Sequence, residues 1–144
     1  MIETVAYQKS STRLRVFGAL LGIVVLIWLP VEESSILGLL LISILICSWV
    51  GTWSLHRTVN SNMNPILRYL IIGGSTGLLI VPVVLLLMAV KSGVHGHGRP
   101  DYTFSQMQSV ISRMPFFVTA GLLVGAGVGI LRIYFQNRAS EVEN

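Results

Sequence analysis

Apolar residues fill four long runs of this chain, and short polar connectors separate them. The predicted spans are 14–31, 36–54, 66–90 and 115–134. Each is apolar on all sides, and each falls within the length of about 17 to 25 residues that a transmembrane helix needs, although the first is barely long enough. Transmembrane strands instead alternate polar and apolar residues over about ten positions. The pattern therefore predicts an all-α polytopic integral membrane protein with four transmembrane helices in a single domain, 1–144.

The longest polar insert, 91–114, lies between the third and fourth runs. Its first half is rich in glycine and includes a proline, which indicates turns. Thr103 and Gln106 then fit a capping box at a helix start. Polar residues fill one side of the segment that follows Thr103. Its other side carries five apolar residues at helical spacing: Phe104, Met107, Val110, Ile111 and Met114. This pattern predicts one short amphipathic helix, too short to span and placed flat in the membrane interface.

Composition supports lipid as the main solvent of this chain. Hydrophobic residues make up 53% and charged residues 11%, with a mean hydropathy of +0.75 and a net charge of +4. Soluble proteins carry about 25% charged residues. In a membrane protein, excess positive charge is typical of topology and of contact with anionic headgroups. Membrane lipid is therefore an expected partner, and nucleic acid is not. The single cysteine, Cys47, allows no intrachain disulfide.

Lysine and arginine predict the orientation. Three of them, Lys91, Arg99 and Arg113, lie on the side opposite the termini. Seven lie on the side of the two termini: Lys9, Arg13, Arg15, Arg57, Arg68, Arg132 and Arg138. The positive-inside rule then places both termini in the cytoplasm and loop 91–114 on the outer side. The first run also resembles a signal peptide, but no small-x-small cleavage pattern follows it, so we expect a retained anchor.

Small residues recur four positions apart and so share a helix face. The glycine pairs and triplet of this kind, which predict helix packing or an interface, are Gly18, Gly22, Gly73, Gly77, Gly121, Gly125 and Gly129. Such faces allow the close backbone approach that holds helices together in lipid. One interpretation is packing within the bundle. The other is that the glycine face of the fourth helix contacts a second copy or another protein.

Two histidines in the polar insert, His95 and His97, are candidate metal ligands. Neutral imidazole is a common ligand, and Asp101, Glu32 and Glu33 on the same predicted side offer carboxylates. The spacing matches no established zinc pattern, and a hydrogen-bonded turn or solvated loop is the alternative.

The leading functional hypothesis is a non-enzymatic accessory, assembly or structural subunit of a membrane complex, without a cofactor. It associates with other membrane subunits or with itself. A nucleophile, base and orienting acid are not patterned together, which disfavours catalysis. The interiors of the runs lack Asp, Glu, Lys, Arg and His, which disfavours coupled transport. The alternatives are a small transporter or channel component, and a metal-dependent or lipid-modifying enzyme at the outer surface.

Overall fold

The computed structural model describes residues 2–29, 35–58, 63–95 and 101–142, with side chains described for 12–29, 35–58, 63–94, 101–136 and 138. These ranges contain helices and no strand. The helices are α1 (Ile2–Trp28), α2 (Ile36–Arg57), α3 (Pro65–His95), α4 (Phe104–Ser112) and α5 (Met114–Val142). The all-helical class predicted from the hydrophobic pattern is confirmed.

Three stretches of the described chain are long and apolar enough to cross a membrane. They are Ile36–Arg57, Pro65–Val94 and Phe104–Gln136. They contain the second, third and fourth predicted spans, and each extends beyond the prediction at one end or both. The first predicted span overlaps α1 over residues 14–28, and α1 continues from there back to Ile2.

Side chains at three helix starts explain where those helices begin. The Ser35 hydroxyl accepts a hydrogen bond from the Gly38 N–H at 3.4 Å, and Asn64 Oδ1 accepts one from the Ile66 N–H at 3.1 Å. At α4 the predicted capping box is present, with Gln106 Oε1 accepting from the Thr103 N–H at 2.7 Å. Each bond occupies a backbone donor that has no partner in the first helical turn.

Helix α3 is the centre of the arrangement. Its most extensive contacts are with α5, and the next most extensive are with α2. Among the described helices, the backbone of α1 neighbours only α2, and the short α4 touches α3 and α5. Within the described residues, the Cα atoms of α2 and α5 never come within 8 Å of each other. The long helices therefore form a row, α1–α2–α3–α5, rather than a closed bundle.

The two ends of this row differ, and we name them by α3. The Lys91 end is where α3 finishes, and the Arg68 end is where it begins. Most of the fully buried apolar side chains lie towards the Lys91 end, where α4 closes over α3: Leu39, Val84, Met88, Tyr102 and Val110. Towards the Arg68 end, α2 and α5 diverge and leave an open groove.

Candidate functional site: an apolar groove with one polar end

The groove runs along α3 between α2 and α5 and has a volume of about 540 Å³. On α3, the residues lining it extend from Tyr69 to Ile80. On α5 they extend from Phe116 to Val128, and on α2 from Ile44 to Leu55. The groove exists because α2 and α5 pack on two sides of α3 without touching each other, and its volume is in the range of small-molecule sites.

The floor of the groove is a glycine-to-glycine contact between antiparallel helices. A Cβ added at Gly73 would clash with the carbonyl oxygen of Gly121, and one added at Gly121 would clash with that of Gly73. The same holds for Gly77 against Phe117 and for Gly125 against Tyr69. Backbone lies directly on backbone along this contact, so only glycine fits at these positions.

The two threonine hydroxyls in the groove wall donate hydrogen bonds within their own helices. Thr76 Oγ1 donates to the Ile72 carbonyl at 2.7 Å, and Thr52 Oγ1 donates to the Ser48 carbonyl at 2.8 Å. Thr76 also fills the space beside Gly51, where an added Cβ would clash with its hydroxyl. With these hydroxyls turned to backbone, the wall presents methyl and methylene groups, which suits an apolar occupant.

Tyr69 joins the groove to a cationic cluster at the Arg68 end. Its side chain is 4% exposed and its hydroxyl accepts a hydrogen bond from Arg132 Nη1. The guanidinium carbon of Arg68 lies 5.3 Å from the Tyr69 ring centroid, and that of Arg132 lies 5.9 Å from it. Arg68 is 8% exposed and donates to the Thr58 carbonyl at 3.0 Å. Two cations from different helices therefore flank one aromatic ring.

At the Lys91 end a second polar cluster is nearly closed off from solvent. Lys91 is 1% exposed, and its Nζ lies 3.9 Å from the centroid of a Trp28 ring. Tyr102 is also 1% exposed, and no described residue hydrogen-bonds to its hydroxyl. Burial raises the pKa of Tyr102, and the neighbouring charge of Asp101 raises it further. Both effects disfavour the phenolate and keep the buried hydroxyl protonated.

The raised pKa of Tyr102 predicts a stability difference in alkali. Between the unfolded-state pKa of about 10 and the higher folded-state pKa, the unfolded chain releases a proton that the native chain retains. The contribution of Tyr102 to the free energy of unfolding is then fully present below about pH 10, and it decreases as the pH rises towards the folded-state pKa. Tyr102→Phe removes this term, so we expect the variant to lose less stability than the wild type between pH 9 and about 11. Chemical denaturation in detergent measures it, with the exposed Tyr134→Phe as control, and equal losses in Tyr102→Phe and wild type would contradict the expectation.

The predicted glycines lie in three different environments. Gly73, Gly77, Gly121 and Gly125 meet in the α3–α5 contact, and Gly129 packs beside Tyr69. Gly18 lies against the Trp49 indole, whose Nε1 donates to the Leu14 carbonyl at 2.9 Å. Gly22 has open space where a Cβ would stand. The glycine face of α5 therefore contacts α3 of the same chain.

The predicted metal ligands cannot be assembled from the described residues. His97, Glu32, Glu33 and the side chain of His95 lie outside them, and Asp101 is half-buried near Tyr102. Within the described ranges, no three His, Cys, Asp or Glu side chains group together as metal ligands do. The histidine site stays a prediction.

Comparison with known proteins gives no relative. No protein-family model, no curated protein and no solved structure matches this chain.

Sequence reasoning missed the residues that give the groove its polar end, and it missed the buried lysine at the other end of the row. Arg68, Tyr69 and Arg132 lie at the edges of predicted spans, where charge was counted only for orientation. Lys91 was placed in a solvated loop, yet α3 continues past it and buries it against Trp28. A tyrosine directly after an arginine at the start of a span was the only available signal, and it does not identify the partner on α5.

Proposed function

We propose that this chain is an integral membrane protein with four spanning helices, and that it works as a non-enzymatic accessory or assembly subunit. In addition to the three stretches described above, residues 14–31, most of which belong to α1, would also cross the membrane. The amphipathic α4 would lie in the membrane interface. In support, Val110 of α4 is buried in the core, while Phe104 is 81% exposed and Ile111 is 50% exposed. Two apolar side chains would thus remain available to lipid at the membrane surface.

The orientation we propose has both termini in the cytoplasm and loop 91–114 outside. The excess of lysine and arginine on the side of the termini supports it. Arg57, Arg68 and Arg132 belong to the Arg68 end, and Lys91 to the other. This assignment gives the cytoplasmic leaflet, which carries anionic lipid, the more basic end of the protein.

The observation that best supports a subunit role is the isolation of α1. In the part of the chain that the structure describes, its backbone neighbours α2 alone, through one stripe that includes Leu14 and Gly18. Its other sides carry large apolar residues at least half exposed, including Phe17 at 50%, Leu20 at 56% and Ile27 at 66%. Gly22 continues that stripe by one turn, and there an added Cβ would meet no atom of the described chain within 4 Å. A helix held on one side, with a small residue exposed, is suited to receive a helix from another subunit.

The experiment compares two glycines that are both open within the chain. Gly22 on α1 and Gly127 on α5 have no atom of the described chain within 4 Å of an added Cβ. Leucine at either position should therefore be tolerated by the monomer. We expect Gly22→Leu to reduce a stoichiometric complex, isolated in mild detergent from the native membrane, by about tenfold, since leucine holds helices apart. Gly127→Leu should leave the complex intact.

Two results would contradict this proposal. A wild-type chain that is isolated only as a monomer in mild detergent and after cross-linking in the membrane has no subunit role. A complex that resists Gly22→Leu does not use the α1 surface. Mass measurement of the purified particle distinguishes a second copy from a different protein.

A further inference from the structure

We propose that the groove between α2, α3 and α5 binds one anionic phospholipid, with an acyl chain along α3 and the headgroup phosphate at Arg132 on the Arg68 end. The proposed ligand is a lipid of the surrounding bilayer. This inference is independent of the subunit contact proposed for α1, because it uses the opposite side of α2 and other residues.

The dimensions of the groove fit one leaflet. From Tyr69 to Ile80 the groove follows α3 for twelve residues, and the eleven helical rises between them amount to about 16 Å. Half of a hydrocarbon core is about 15 Å. Along α3 the groove thus begins at the polar edge of the span and finishes near its middle, as an acyl chain does. Its wall is apolar because Thr76 and Thr52 donate to backbone carbonyls.

The charge at the Arg68 end fits a phosphate. Val124, Val128 and Arg132 are four residues apart and share one face of α5, so the face that lines the groove continues into an arginine. Arg132 is exposed, and its bond to Tyr69 uses one of five N–H donors. The same contact with Tyr69 fixes the guanidinium at the mouth of the groove. Arginine binds phosphate through paired N–H donors.

Neighbouring charges make the site selective for an anion. Arg68 lies 5.3 Å from the centroid of the same Tyr69 ring, and Arg57 lies over Trp53 at 4.1 Å on the same end of the row. The sequence has no Asp or Glu at 34–100 or 102–140, which covers α2 and the whole groove. A second copy in the same orientation would bring identical arginines to this end, so charge favours an anionic lipid over self-association here.

The test is native mass spectrometry of the full chain in detergent, titrated with phosphatidylglycerol or phosphatidylcholine of the same acyl composition. We expect one phosphatidylglycerol to bind per chain. Because each nearby cation should raise the affinity for an anionic lipid about fivefold, two or more of them should give at least about a tenfold preference over phosphatidylcholine. Equal affinity for the two lipids would overturn the proposal, as would a spectrum of lipid-free dimers that indicates a second copy in the groove. This comparison needs no variant.

Two matched pairs of variants locate the lipid. Arg132→Gln should weaken phosphatidylglycerol binding about fivefold, while Arg113→Gln, the same charge change at the far end of α5, should leave it unchanged. Val128→Trp fills the groove and should weaken binding at least about tenfold, whereas Leu123→Trp, on an exposed site of α5 outside the groove, should not. Equal effects within either pair would overturn the assignment. Loss with Arg132→Gln but none with Val128→Trp would show headgroup adsorption alone and would also overturn it.

Discussion

Gly125→Leu is expected to destabilise the protein by about 3 kcal/mol or more, at the upper end of what overpacking does. Gly125 is buried in the α3–α5 contact, and any Cβ there would meet the backbone carbonyl of Tyr69. A side chain in the way can rotate, but a helix backbone can yield only if the helices separate. Separation would remove the close packing that holds helices together in lipid. It would also displace Tyr69 from Arg132.

Gly127→Leu is the matched control for this prediction. Gly127 lies on the same helix two residues away, and an added Cβ there meets nothing within 4 Å. Both substitutions gain the same helix propensity, about 1 kcal/mol in favour of leucine over glycine, so their difference isolates the contact. Reversible unfolding in mixed micelles measures it. If the two variants have the same free energy of unfolding, the α3–α5 contact does not contribute to stability as its geometry indicates.

The helices were predictable because lipid imposes a simple rule. Every backbone polar group must be satisfied within the segment, so a long apolar run is a helix whatever it packs against. Helix starts were predictable for a similar reason, since Ser35, Asn64 and Thr103 act on backbone donors no more than three residues ahead. The starts of α2, α3 and α4 therefore agree with local pattern.

The arrangement of the helices was not predictable from the same pattern. Small residues four apart mark a face that permits close approach, but they do not say which other face meets it. Gly18 and Gly121 have the same spacing to a following glycine. In the structure one lies against an indole and the other against a glycine backbone. The choice depends on contacts between helices distant in sequence, such as Gly73 with Gly121.

The polar end of the groove was hidden for a further reason. Arginine and lysine at the edge of a span serve topology in most membrane proteins, so they carry little information about a site. Arg132 and Tyr69 are 63 positions apart, and their hydrogen bond depends on the antiparallel register of α3 and α5. The glycine contact sets that register. The cationic cluster is therefore a product of the packing.

Lys91→Ala is expected to destabilise the protein by about 3 kcal/mol. Lys91 is 1% exposed, with Nζ 3.9 Å from the Trp28 ring centroid. Alanine removes three buried methylene groups at about 0.8 kcal/mol each and a desolvated cation–π contact of about 2 kcal/mol. The recovered hydration of the ammonium offsets part of this sum. Lys91→Met keeps the stem and should destabilise by only about 1 kcal/mol, which separates packing from charge.

A double-mutant cycle with Trp28→Leu tests the contact itself. The cycle should give a coupling of about 1 to 2 kcal/mol between Lys91→Met and Trp28→Leu, because only the ammonium and the indole differ across it. Val90→Ala, at the exposed neighbouring position, controls for shortening a side chain in this turn of α3. A Lys91→Met variant as stable as wild type, with no coupling to Trp28, would mean that the contact between the ammonium and the ring adds nothing to stability. Lys91 would then fix α1 against α3 only through its methylene stem, and Lys91→Ala would keep nearly its whole effect.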